Sequence, residues 1–188
     1  TDPTQPLELD GEDLELLAVT LDGQALSSDA YQVDARRLTI HGVRNGSVLE
    51  TRVRIRPAAN TALEGLYLSG SRETGFLLTQ CEPQGFRHIT YFPDRPDVQS
   101  RYTVTLRANR ERFPVLLAGG NPDGAGELPD GRHWARFVDP HRKSSYLFAL
   151  VAGQLEHLDR AYVTAEGRQV QIRMWAQADA IDRCHYAL

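Results

Sequence analysis

Polar and apolar residues alternate with a period of two along most of this chain. In SVLETRVRIRP (47–57), Leu49, Thr51, Val53 and Ile55 fall on one side, and Glu50, Arg52, Arg54 and Arg56 on the other. Successive side chains of a strand point to opposite faces, so this spacing predicts a strand with one wet face. RYTVTLRA (101–108) repeats the pattern with Tyr102, Val104, Leu106 and Ala108 inward, and RQVQIRMWA (168–176) with Val170, Ile172 and Met174 inward. LELLAVTL, RLTI, PVLLAG, RHWARFV and SSYLFALVAG are further runs of strand length.

Turn chemistry punctuates these runs. Asp22-Gly23, Asn45-Gly46, Asp123-Gly124 and Asp130-Gly131 are dipeptides that suit tight hairpins. Many short strands with such turns predict an all-β, sandwich-like fold. Helical signal is scarce. RPDVQSR (95–101) has room for one turn after Pro96, and QADAIDRCHYAL (177–188) reads as the start of a helix with Asp179 near its N-terminus. That last run carries no C-cap glycine and no polar tail, so the chain is expected to be a piece of something longer.

Composition narrows the function classes. The 188 residues are 41% hydrophobic and 24% charged, ordinary for one globular domain. A net charge of -4 argues against a nucleic-acid or anionic-membrane partner, and makes the Arg52, Arg54 and Arg56 row a solvated strand face. There is no apolar run of membrane-span length, and the polar start TDPTQPLELDGED is not a signal peptide. Cys81 and Cys184 stand far apart without C-x-x-C spacing, which predicts two free thiols and a cytoplasmic location.

Self-contained catalytic motifs are missing. None of the six histidines is followed by glutamate, so no His-Glu-x-x-His zinc helix is encoded, and no catalytic or metal-ligating residue is assigned within the chain. There is no Gly-x-Ser-x-Gly elbow and no phosphate-binding glycine loop. LAGGNPDGAGELPDG (117–131) joins two strands and is expected to be a hairpin loop. Trp134 and Trp175 are expected to pack on sheet faces. On composition alone, a non-catalytic binding or structural β domain leads.

Three long stretches change that expectation. PAANTALEGLYLSG (57–70), TQCEPQGFRHITYFPDRPDVQSRYTV (79–104) and GRHWARFVDPHRKSSYLFALVAGQL (131–155), in this order, closely resemble the N-terminal region of the bacterial aminopeptidase N family. These are alanyl aminopeptidases among the thermolysin-like zinc metallopeptidases, hydrolases of the membrane alanyl aminopeptidase type. The resemblance runs from about Leu7 to the end. It departs from the wider family at Arg95, where a glutamate is common.

The resemblance implies a saddle-shaped β domain over 1–176, without its first strands, and a lead into a catalytic domain over 177–188. It implies Zn2+ in the parent enzyme, bound outside this chain, and inactivity of the chain alone. Its partners would be the parent's own catalytic domain and a peptide gripped by its free N-terminus. The family's Gln-x-Glu falls on Gln80 and Glu82. In the family, such a Glu accepts charge-assisted hydrogen bonds from the substrate ammonium, and the Gln lines the pocket for the first side chain. Cys81 between them is expected to point the other way, with Phe86, His88 and Tyr91 packing beneath the loop. The alternative is a stand-alone β interaction module that docks proteins or peptides.

Overall fold

The computed structural model describes residues 5–187; the outer ends of the two expected segments, at 1–4 and 188, lie outside the described residues. Strands dominate. The first six are β1 (Leu7–Asp10), β2 (Glu15–Leu21), β3 (Gln24–Ala25), β4 (Tyr31–Val33), β5 (Arg37–Ile40) and β6 (Leu49–Arg54). They form two antiparallel sheets, ordered β1-β5-β4 and β3-β2-β6. The alternation read for β6 is realised: Leu49, Thr51 and Val53 are half-buried, and Glu50, Arg52 and Arg54 are exposed. Leu9, Val19, Leu38, Ile40 and Tyr91 close a core between the two sheets, with Leu49 and Val53 packed against it.

A four-stranded sheet follows, ordered β10-β13-β8-β7, from β7 (Gly65–Ser69), β8 (Phe76–Gln80), β10 (Val115–Ala118) and β13 (Leu150–Gly153). β11 (Asn121–Glu127), β12 (Arg132–Ser144) and β9 (Gln99–Asn109) form a fourth, three-stranded antiparallel sheet, and β14 (Glu156–Val163) with β15 (Gln169–Ala176) a two-stranded one. The expected all-β class is the observed one.

Several local expectations are corrected. The glycine-rich run 117–131 is not a plain loop, because its middle is strand β11 paired to β12. Asp123-Gly124 makes no hairpin there; the register shifts between Pro122 and Ala125, and Gly124 takes φ 124 in the bulge, so the dipeptide bends a strand. A Cβ at Gly124 would lie 3.2 Å from the Trp134 ring, which covers this sheet face as expected. The first half of SSYLFALVAG is a 3-10 turn, Ser145–Leu147, with Ser145 buried. Ile172, expected inward, is 40% exposed, since β14 and β15 have no second sheet over them among the described residues. The predicted C-terminal helix is a 3-10 turn, Ile181–Tyr186, and no side chain caps it. Among the described residues, no helix is long and apolar enough to cross a membrane.

Candidate functional site

Gln80 ends β8, paired across to Gly65 of β7. The chain then turns sharply: the Gly85 N–H donates to the Cys81 carbonyl at 2.8 Å, and a 3-10 turn, Phe86–His88, begins. Gln80, Glu82, Pro83 and Gln84 are exposed, and Cys81 between them is buried. The alternation expected across Gln80, Cys81 and Glu82 is thus present. The Gln80 side-chain amide donates to the Glu82 carbonyl oxygen at 3.2 Å, which ties the two residues into one unit. The peptide between Glu82 and Pro83 is cis. Among the described residues no ion pair shorter than 4.0 Å engages Glu82, so its carboxylate faces solvent with its acceptor sites available.

The underside of the turn is dry. Cys81, Phe86 and Tyr102 form a second core with Ile89, Phe92, Val104 and Phe148. The Phe86 ring meets Phe92 and Phe148 edge-on, each at 5.0 Å. Such aromatic pairs each contribute about 0.5–1.5 kcal/mol beyond burial. Burial pushes the Cys81 thiol up to about 12, helped by the nearby Asp94 charge. A thiol held neutral at physiological pH is a poor nucleophile, so Cys81 acts here as packing. Both cysteines are free, as expected.

Sequence reasoning missed the charged pair that anchors the far side of the loop. Asp94 is 2% exposed. It accepts from the Arg87 N–H and Arg87 Nε, both at 3.1 Å, and from Ser145 Oγ at 2.5 Å. Its own N–H donates to Asp10 Oδ2 at 3.0 Å. Arg87 also lies 3.6 Å from Glu12 and donates to the Asp94 carbonyl at 3.0 Å. The signal was an arginine and an aspartate inside a run otherwise rich in aromatics, where a charge must find a partner. Arg95, singled out as the departure from the family pattern, points outward and pairs with Asp97 at 2.6 Å.

Tyr91 and Phe92 divide the same segment between the two cores, Tyr91 in the first and Phe92 against the second. His88 sits between Asp13 and Glu64, at 3.3 and 3.4 Å, beside a cavity of about 550 Å³ lined also by Leu14, Ile55 and Leu66. Neither Gln80 nor Glu82 lines that cavity. Among the described residues, no group of three or more His, Cys, Asp or Glu side chains is placed to hold a metal ion.

An exposed carboxylate beside an amide, on a turn fastened from below, can accept hydrogen bonds from a cation. In open water such a pair gains only about 0–1 kcal/mol. Shielded from water, a charge-assisted bond is worth about 1.5–3 kcal/mol. What such a carboxylate can contribute to binding therefore depends on how far it is shielded from water.

Comparison with known proteins agrees with the fold. The aminopeptidase N of Caulobacter vibrioides is 50% identical over 98% of this chain, which spans only 21% of that relative. A crystal structure of Legionella pneumophila aminopeptidase A in complex with aspartic acid superposes with a TM-score of 0.89 at 34% identity, covering 97% of this chain and 21% of that one. A substrate-bound M1 zinc metallopeptidase from Deinococcus radiodurans shares the fold, with a TM-score of 0.71 at 20% identity over 93% of this chain and 41% of its own. The profile of the Peptidase M1 N-terminal domain family matches residues 2–147, and the chain belongs to that family.

Proposed function

We propose that this chain is the substrate-pocket domain of a zinc aminopeptidase that releases N-terminal residues from peptides, with Glu82 and Gln80 as its contribution to the site. The observation that carries the proposal is the Gln80–Glu82 unit itself, exposed above an anchored apolar base, its carboxylate without an ion-pair partner among the described residues. An aminopeptidase must select a free ammonium, and a carboxylate does so by charge. A blocked or internal amide would leave that carboxylate desolvated and unpaired, which penalises the wrong substrate. Residues 1–176 would form the domain, and 177–188 would lead into the catalytic domain that covers the clamp. Zinc would be held there and not in this chain, which encodes no His-Glu-x-x-His; when bound it polarises the scissile carbonyl and activates water. A cytoplasmic location is part of the proposal and rests on the two free thiols.

The test uses the full-length enzyme that carries this segment. Glu82→Ala is expected to raise KM and lower kcat for an amino-acid anilide, reducing kcat/KM about 10- to 100-fold, the equivalent of one charge-assisted hydrogen bond. The isolated 188 residues are expected to show no turnover. Unchanged kinetics in Glu82→Ala would remove the clamp assignment, and turnover by the isolated chain would overturn the division of labour. A coding sequence that stopped at Leu188 would favour the stand-alone interaction module instead.

A further inference from the structure

We infer that Gly85, pressed against Gly65, is a positioning residue for the Gln80–Glu82 unit; this rests on the clamp proposal above. The two glycines meet where the turn folds back on β7. A Cβ added at Gly85 would overlap the Gln80 carbonyl oxygen and lie 2.9 Å from both Cys81 Cα and the Gly65 nitrogen. Reciprocally, a Cβ at Gly65 would lie 3.0 Å from the Gly85 carbonyl oxygen and 2.7 Å from His88 Cβ. Every atom met at Gly85 is backbone, which cannot swing aside as a side chain can.

The consequence is directional. Gly65 is fixed by its register with Gln80 in the sheet, and Cys81 is fixed by its buried thiol. A methyl group at Gly85 therefore finds relief on the less constrained side, by tilting the Gln80–Cys81 peptide together with the exposed turn of Glu82, Pro83 and Gln84 after it. That peptide carries Gln80 directly and Glu82 one residue later. Gly85 itself has φ -81 and ψ -18, which alanine adopts without strain, so Gly85→Ala tests space and not torsion. Displacements near 1 Å at a substrate-orienting group cost up to about 100-fold in rate.

The experiment is a kinetic double-mutant cycle in the full-length enzyme, with Gly85→Ala, Glu82→Ala and the double variant measured on an amino-acid anilide. Gly85→Ala alone is expected to lower kcat/KM about 10- to 100-fold. In the Glu82→Ala background it is expected to cost less than about two-fold, because the charged member of the unit is gone and only the neutral Gln80 is left to misplace. Independent, multiplying losses would overturn the inference and leave the clamp standing, as would wild-type kinetics in Gly85→Ala. A silent Glu82→Ala would overturn both. Should Gly85→Ala fail to accumulate as folded enzyme, Gln84→Gly loosens the same exposed turn without adding an atom. A KM rise that vanishes in the Glu82→Ala background supports the assignment, and an unchanged KM overturns it.

Discussion

Glu82 and Asp94, on the two arms of the loop between β8 and β9, are carboxylates in opposite surroundings. Asp94 is almost wholly buried and accepts from Arg87 and Ser145, while its backbone N–H is held by Asp10. Glu82 is exposed, and among the described residues no ion pair engages its carboxylate. A buried charge is tolerated when its partners satisfy it, and it then fixes the chain that carries it. An exposed, unsatisfied charge contributes little to folding and remains free to bind. The contrast separates the residue that holds the loop from the residue the loop holds out.

The strongest way to break that separation is Asp94→Ala. It strips Arg87 of its principal partner, leaves Ser145 Oγ without an acceptor, and opens a gap between the loop and β1. Removing one member of a buried pair costs about 3–5 kcal/mol, and the isolated segment should show that loss in its urea midpoint. A loss below about 1 kcal/mol would mean that water reaches Arg87 readily, and that the aromatic core alone holds the loop.

How much of this contrast was legible in the sequence follows from the range of each interaction. The strand faces of β6 and β9 were readable because alternation is local, and burial follows it residue by residue. Glu82 and Gln80 were reached through a motif carried by neighbours in the chain. The Arg87–Asp94 lock was not reached. It needs Ser145 and Asp10, brought in by the 3-10 turn that follows β12 and by the bridge between Asp10 and Phe92, and no local pattern announces such meetings. Ile172 failed for the converse reason: its alternation is sound, but among the described residues its hairpin pairs into a sheet of two strands only and leaves Ile172 40% exposed. Gly124 shows a third limit, since a turn dipeptide and a bulge have the same chemistry and differ only in what pairs with the flanking residues.

A smaller effect sharpens the dry side of the comparison. The Cys81 thiol is pushed from 9.0 to about 12, first by burial and then by Asp94. Tyr102 moves from 10.0 to about 12, first by burial, then by Asp94 and then by Cys81. Both groups are neutral when protonated, so their folded values lie above their unfolded ones. The stabilisation is complete below about pH 9 and is lost as pH rises toward about 12, because the unfolded chain ionises first. For Cys81 the slope approaches about 1.4 kcal/mol per pH unit within that window. Urea midpoints taken at pH 8 and pH 10 should fall with pH, and Cys81→Ala should flatten the fall. An equal slope in that variant would show that water enters beneath the turn.

The smallest expected effect decides whether Glu82 belongs on the wet side at all. Its carboxylate replaces no buried contact and, among the described residues, engages no cation. The unfolded chain solvates it as well as the folded one does. Glu82→Ala should therefore shift the folding free energy of the isolated segment by less than about 0.5 kcal/mol, the range for surface positions away from special features. Gln80→Ala should add little, since it removes one solvent-exposed hydrogen bond to the Glu82 carbonyl. Urea midpoints of the two variants, set against Asp94→Ala on the same day and buffer, measure the contrast directly. If Glu82→Ala cost more than about 1 kcal/mol, its carboxylate would be holding the turn together, and any kinetic loss in the full-length enzyme would no longer distinguish a grip on substrate from a collapsed loop.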